Sequence, residues 1–290
     1  MKLIQKYSYS LGVLILACVI GFMALAALIP KAQPMFGEQT AEKSQEKQLL
    51  NFAAIGDSLT EGVGDTTKSG GYVPLLKQAI SEETGIDAIH SDNFGKAGDR
   101  SDQILKRIKK NEEIQTGLKE ADFITLTVGG NDLMKVVKSE FMNDISYETF
   151  DKPLEEFKKQ LGLLIAEIRS YNSEAPIYLM GIYNPFYLSF QEVSEMQDIV
   201  TLWNDGAKEA IKDEQKVYFI PINDSLYKGL NGQIGIGSDT TETSTSSSGG
   251  SLNNLISEVD NFHPNNLGYQ IMANAFKEKM FETKKDWLEK

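Results

Sequence analysis

Phe123-Ile124-Thr125-Leu126-Thr127-Val128-Gly129-Gly130-Asn131-Asp132 is a β-rich run closed by two glycines, and it decides the fold. β-Branched and aromatic residues suit a pleated, buried surface, and the glycines mark the turn that ends it. The same pattern recurs outward along the chain. Phe52-Ala53-Ala54-Ile55 runs into Gly56, and Ile86 to Phe94 reads as a second strand. Beyond the central run, Ile177 to Ile182 and Val217 to Ile222 read as two more. Between them the apolar spacing changes to 3–4. Helices are predicted over Val73 to Ile80, Ser101 to Ile114, Pro153 to Tyr171, Val193 to Ile211 and Asn266 to Phe281. Five strands separated by helices predict an α/β fold, a five-stranded parallel sheet with helices on both faces in three α/β/α layers. In such sheets ligands bind beyond the carboxyl ends of the strands. The residues to inspect therefore follow Ile55, Phe94, Val128, Ile182 and Ile222.

Composition narrows the function. At 41% hydrophobic and 24% charged over 290 residues, the chain excludes a disordered protein and suits one large domain or two small ones. Lys+Arg number 29 against 41 Asp+Glu, a formal net charge of −12. That sign repels phosphate backbones and predicts no nucleic-acid partner. The one basic cluster, Lys106-Arg107 with Lys109-Lys110, reads as a solvated helix face. A single cysteine, Cys18, excludes an intrachain disulfide and a cysteine-held zinc. Two histidines, His90 and His263, exclude a histidine-rich metal centre.

The N-terminal region is expected to lie apart from the sheet. Leu11 to Ile29 carries no charged residue, with Lys2 and Lys6 before it and Pro30 and Lys31 after it. As a helix it rises about 28 Å, close to the thickness of a bilayer's hydrocarbon core. Three readings stand: an uncleaved signal anchor over 1–30, a signal peptide cleaved near Ala24-Leu25-Ala26, or a lipoprotein site at Cys18. The length of the run favours the anchor, and Val19-Ile20-Gly21-Phe22 continues apolar where a lipidated cysteine needs a polar tether. Each places the rest of the chain outside the membrane. On this reading 31–48 is a tether and 49–290 the folded domain, with a small, polar, flexible loop over 238–251.

The chemistry-bearing residues stand at the strand ends. Gly56-Asp57-Ser58-Leu59-Thr60 follows the first strand and presents a serine hydroxyl at a turn. Asp260-Asn261-Phe262-His263-Pro264 precedes the last helix. An aspartate three residues before a histidine can fold back onto Nδ1, leaving Nε2 free as a base. The bland alternative makes Asp260 a helix cap and His263 a surface residue. Gly98, after the second strand, lets a backbone N–H approach a ligand, and Asn131, after the third, carries a donor amide. With the Ser58 N–H these are three donors for a tetrahedral oxyanion. Singly each has a plain reading as a turn residue. Jointly, all fall on one predicted edge of the sheet.

These blocks, in this order, resemble those of the GDSL, or SGNH, hydrolase family over roughly residues 50 to 285. Within it the chain is similar to the membrane-anchored GDSL-type lipase/acylhydrolase proteins of Gram-positive bacteria. The resemblance implies a flavodoxin-like sandwich and ester or thioester hydrolysis without a metal or other cofactor, on an ester or lipid-like small molecule. It implies Ser58 as nucleophile, His263 as base oriented by Asp260, and Ser58, Gly98 and Asn131 as the oxyanion hole. The setting expected is a single-pass cell-membrane protein with its catalytic domain outside, or a secreted one if the leader is cleaved. Thr60 stands where a G-x-S-x-G elbow has its second glycine, and Arg100 where a small hydroxyl residue is common in the family.

The remaining conspicuous residues read as structural: Asp57 holds the serine loop, Asp132 holds Asn131, and His90 sits in a strand without a catalytic acid. Trp203, Phe186, Tyr187 and Phe190 are candidates for an acyl pocket, although aromatics are more often core. Other classes fit less well. A non-catalytic binding module on this fold needs neither Ser58 nor His263. A nucleotide or flavin binder needs a glycine-rich phosphate cradle, and Gly56-Asp57-Ser58 places an acid there instead. A carbohydrate O-acetyl esterase acting on cell-wall glycan is the main alternative among the enzymes.

Overall fold

The computed structural model describes residues 19–20, 47, 49–86, 88–140, 148–185, 194–227 and 253–289. The chain divides into two units, Met1–Lys43 and Ser44–Lys290. Of the first, Val19 and Ile20 are described, and they are helical. No helix among the described residues is long and apolar enough to cross a membrane. The expected spanning run otherwise lies outside them, as does the whole loop 238–251. So does the tether apart from Lys47, whose Nζ lies 2.6 Å from the Asp122 carboxylate.

The second unit is built on five parallel strands: β1 (Leu49–Gly56), β2 (Ala88–Gly95), β3 (Phe123–Thr127), β4 (Ile177–Met180) and β5 (Val217–Ile220). They pair in the order β2-β1-β3-β4-β5. The helices are α1 (Ser58–Glu61), α2 (Tyr72–Thr84), α3 (Ser101–Lys110), α4 (Glu112–Glu120), α5 (Gly130–Glu140), α6 (Glu148–Tyr171), α7 (Ser194–Ile211), α8 (Asn223–Tyr227) and α9 (Asn266–Glu282).

Alternation along the strands assigns the two faces. Ala53, Ile55, Ile124, Leu126, Ile177 and Leu179 join one core with Ile104 and Ile108 of α3, Leu161 and Ile165 of α6, and Trp203 of α7. Leu50, Phe52, Ala54, Phe123, Tyr178 and Met180 join the other, with Leu76 of α2, Met272 and Phe276 of α9, and Trp287. Both faces are covered, so the central strands are buried throughout and form the middle layer of the sandwich.

Four departures from the sequence reading stand out, the first with a local cause. The single helix expected over Ser101 to Ile114 is two, because the Asn111 side chain caps a new start by accepting from Glu113 N at 2.9 Å. The segment after Gly129, expected as a loop, enters α5 at once, and α8 was likewise not anticipated. The helix expected from Pro153 begins at Glu148, with Pro153 inside it.

Register brings the functional edge together. Gly56, the last residue of β1, lies opposite Gly95 of β2 and Thr127 of β3. The loops carrying Ser58, Gly98 and Asn131 therefore leave the sheet side by side. Arg107 of α3 ties two of them. Its guanidinium donates to Gly56 O (3.0 Å), Phe94 O (2.7 Å) and Asp99 Oδ2 (2.9 Å). The solvated-face reading thus fails for Arg107, whose side chain is 18% exposed. Replacing Arg107 by Met removes a donor from Phe94 O and from Gly56 O, which keeps Lys96 N, and leaves a largely buried carboxylate without its partner. The expected loss in chemical denaturation is roughly 2–4 kcal/mol.

Candidate active site

The serine loop is held by a buried polar network. Asp57 caps α1, its Oδ1 accepting from Leu59 N (3.0 Å) and Thr127 Oγ1 (2.8 Å). Thr60, fully buried, meets Ile55 O (3.2 Å), Thr127 Oγ1 (2.8 Å) and Tyr72 OH (3.1 Å). Tyr72 OH in turn meets Thr125 Oγ1 at 2.9 Å. Asp57 thus holds the loop. Burial pushes its carboxyl above the ordinary aspartate value, with the Leu59 and Thr127 hydrogen bonds opposing. The network also explains Gly56: a Cβ there would lie 2.3 Å from Thr127 Oγ1 and 2.5 Å from Thr60 Oγ1. Thr60, conspicuous in the sequence only as a missing glycine, fills that junction.

The donor loops are joined to each other. Gly98 has φ +81°, in the left-handed region that favours glycine, and is exposed. Asn131 Nδ2 donates to Asp99 O at 3.0 Å, which fixes the amide's orientation beside the Gly98 turn. Asp132 accepts from Ser101 N (3.0 Å) and Ser101 Oγ. The expectation that Asp132 steadies Asn131 within its own loop is thereby corrected, because its carboxylate anchors the start of α3 instead. Burial raises the Asp132 pKa, opposed by the two Ser101 bonds.

The histidine turn comes from the other end of the chain. His263 Nε2 lies 2.9 Å from Ser58 Oγ. His263 Nδ1 lies 2.6 Å from Asp260 Oδ2, and Asp260 Oδ1 accepts from Phe262 N and His263 N at 3.0 Å each. The same bonds correct the helix-cap reading of Asp260, since Asn265 caps α9, accepting from Leu267 N and Gly268 N. Burial alone would raise the Asp260 carboxyl. The bonds from the His263 ring, His263 N and Phe262 N outweigh it, and the pKa lies below the ordinary aspartate value.

The turn is also latched to the serine side. Asn266 Nδ2 donates to Asp65 Oδ1 (3.0 Å), and its Oδ1 accepts from Thr66 N (3.1 Å) and Thr66 Oγ1 (2.9 Å). The Asp65 carboxylate further accepts from Thr67, Ser69, Gly70 and Gly71 backbone N–H groups.

A small cleft adjoins the serine, lined by Asp57, Ser58, Leu59, Thr127, Val128, Gly130, Asn131, Met180–Tyr183, Pro185 and Phe262. Trp203 is not among them. It stacks on Phe157 at 5.1 Å in the core, so its pocket role is withdrawn. Phe186, Tyr187 and Phe190 lie outside the described residues. His90 stands on edge strand β2, mostly exposed, 3.0 Å from Asp92. It has an acid partner that the sequence reading overlooked, but sits apart from the serine turn.

Sequence reasoning missed Tyr72, Arg107, Thr127 and the Asp65–Asn266 latch. Only the position of Thr127 at a strand's carboxyl end was a usable signal.

A family model described as GDSL-like lipase/acylhydrolase matches residues 54–271. The chain is 32% identical over 237 residues to the "Uncharacterized protein YpmR" of Bacillus subtilis, covering 82% of this chain and 84% of that one. It is 23% identical to the "Spore germination lipase LipC" of Bacillus licheniformis, over 77% of this chain and 93% of that one. Among solved structures, a lipase from a goat rumen metagenome superposes with TM-score 0.62 at 21% identity, over 79% of this chain and 96% of its own. An acetylxylan esterase from Geobacillus stearothermophilus gives 0.56 at 19%, over 85% and 98%. At those identities the structural likeness establishes the fold.

The latch makes a pH prediction. Burial opposes the lowering of the Asp65 pKa, and the Thr67, Gly71 and Ser69 bonds produce it. A carboxyl lowered in the folded state stabilises the fold above the unfolded aspartate pKa, and that contribution disappears as pH falls through the folded value. Thermal melts should therefore show a drop in Tm below about pH 4, and Asp65→Asn should flatten that drop.

Proposed function

This chain belongs to the GDSL-like lipase/acylhydrolase family and is a GDSL-type esterase/lipase; from that premise we propose that Ser58, His263 and Asp260 form its catalytic triad. One observation carries the assignment. The serine hydroxyl, both imidazole nitrogens and the carboxylate stand in line at 2.9 and 2.6 Å.

The steps follow from that line. His263 Nε2 takes the Ser58 proton as Oγ bonds to the acyl carbon, and the carbonyl electrons move onto oxygen. Asp260 holds Nδ1–H and stabilises the imidazolium. The oxyanion is met by the Ser58 N–H, the Gly98 N–H and the Asn131 amide. One Nδ2 hydrogen of Asn131 is engaged by Asp99 O and the second remains for this purpose. Collapse breaks the bond to the alcohol, which takes the proton from His263. Water then repeats the sequence on the acyl-enzyme, releasing the acid and restoring Ser58.

The substrate we infer is an ester of a small acyl group. The cleft beside Ser58 is small, about 40 Å³, and walled by Val128, Ile182, Tyr183, Pro185 and Phe262, which suits a short acyl group such as an acetyl. This favours the O-acetyl esterase reading over a long-chain lipase. The similarity to a spore germination lipase keeps lipid-like esters as the competing class.

We further propose that residues 1–30 anchor the protein, 31–48 form the tether, and the hydrolase domain 49–290 works outside the membrane. The uncharged run of 19 residues from Leu11 to Ile29 supports this.

On p-nitrophenyl acetate, Ser58→Ala and His263→Ala should lower kcat by about ten-thousand-fold or more. Asn131→Ala should lower it about a hundredfold while the melting curve keeps its shape. A series from C2 to C16 esters should peak at the short end. A long-chain optimum would move the reading to lipid-like substrates, and full activity in Ser58→Ala would remove the nucleophile.

A further inference from the structure

Between the acyl cleft and the histidine turn stands Tyr183, three residues past the end of β4 and buried. Its ring borders the cleft and its hydroxyl donates to Phe262 O at 2.6 Å. Phe262 is the residue before His263. Its N–H holds Asp260 Oδ1 at 3.0 Å, and its ring meets the imidazole edge-on, with centroids 5.0 Å apart at 80°.

The turn it belongs to needs such support. Asn261 has φ +52°, a left-handed conformation unusual for a residue with a side chain. Two backbone bonds close the turn on its own neighbourhood, Asn261 N to Ser257 O (2.9 Å) and Ser257 N to His263 O (2.8 Å). Both lie within the 257–263 segment and fix its shape, not its place over the sheet. The Tyr183 hydroxyl reaches that segment from the sheet itself, since Tyr183 follows directly on β4, Gly181 and Ile182. The serine is tied to the same sheet edge through Gly56, Asp57 and Thr127. A donor that joins β4 to Phe262 O therefore acts beside the Asn266–Asp65 latch, holding the turn from the sheet side where the latch holds it from the start of α9.

We propose that Tyr183 is a positioning residue for His263: its hydroxyl holds the Phe262 carbonyl so that Nε2 stays within hydrogen-bonding reach of Ser58. The inference rests on the serine-hydrolase reading above. Burial pushes the Tyr183 phenol well above its ordinary pKa, which favours the neutral form that donates.

Tyr183→Phe removes one oxygen and leaves the ring lining the cleft. In the full chain, kcat on p-nitrophenyl acetate should fall about tenfold, the effect of losing one hydrogen bond that holds the turn, while KM stays within about twofold. The rate of Ser58 labelling by a fluorophosphonate should fall by the same factor, because that reaction uses the serine–imidazole pair and no acyl pocket. The downfield proton resonance of His263 Nδ1–H should broaden or shift. Unchanged labelling and kcat would overturn the proposal. So would a change confined to KM and chain-length preference, which would make Tyr183 a pocket wall only, or a fall in Tm with the labelling rate intact. If the unsubstituted protein is not labelled at all, the hydrolase reading itself fails and takes this inference with it. If Tyr183→Phe does not fold, the unsubstituted protein still decides: a Tyr183 hydroxyl proton that exchanges at solvent rate by NMR is not bound to Phe262 O and rejects the role, whereas a slowly exchanging one supports it.

Discussion

The hydrogen bond between Ser58 Oγ and His263 Nε2 joins segments 205 residues apart in the chain, and most of the structure around it serves to keep those two atoms together. One hydrogen bond between flexible loops contributes about 1 kcal/mol, far too little to order both ends. The order is supplied elsewhere. The serine end is fixed by a parallel sheet whose neighbouring strands finish level at Gly56, Gly95 and Thr127. The histidine end is fixed by the start of α9, which packs on the opposite face from α3 and α6. The site is therefore a meeting of elements from both faces over one sheet edge, and neither face alone contains it.

Polar groups below the serine are buried in number: Asp57, Thr60, Thr125 and Thr127 are nearly inaccessible. Burying such groups costs several kcal/mol each when they are unpaired and little when every one is bonded. Here Thr60 bonds to Thr127, Tyr72 and Ile55 O, and Tyr72 bonds on to Thr125. The consequence is rigidity. An apolar junction of the same volume would pack as well but would leave Asp57 without Thr127, and so the α1 cap without its second fixing point.

How legible this was from sequence depends on how far each contact reaches. The strands were legible because buried β-rich runs and the turns that end them are local patterns, and the order of strands and helices then dictated the sheet. Ser58, Asp260 and His263 were legible because each is conspicuous where it stands: a serine after a strand, and a rare histidine three residues from an acid. Arg107 was misread because nothing in its neighbours says that its guanidinium turns back over the strand ends. The break at Asn111 was missed because helical periodicity runs straight through it, and only the competition of its side chain for Glu113 N–H interrupts the ladder. Asn266 stood in view at a helix start, yet its partner lies 201 residues away.

Three aspartates around the site show why residue type alone does not assign roles. Asp57, beside the serine, and Asp132, beside Asn131, are both dominated by loss of solvent, which favours their neutral forms and leaves them as anchors. Asp260 is a third exposed at its side chain and accepts three hydrogen bonds from the residues it serves. Those bonds win over burial, and the group stays anionic. In the proposed mechanism a positive charge develops on the His263 imidazole, and an anion held at Nδ1 offsets it. Had the turn packed Asp260 as deeply as Asp57, the same desolvation would have favoured the neutral acid. It would then have lost the charge that makes Nε2 a useful base. The shallow placement of the histidine turn at the rim of the sheet thus suits the proposed mechanism, and the bonds from Tyr183 and Asn266 tie the turn there.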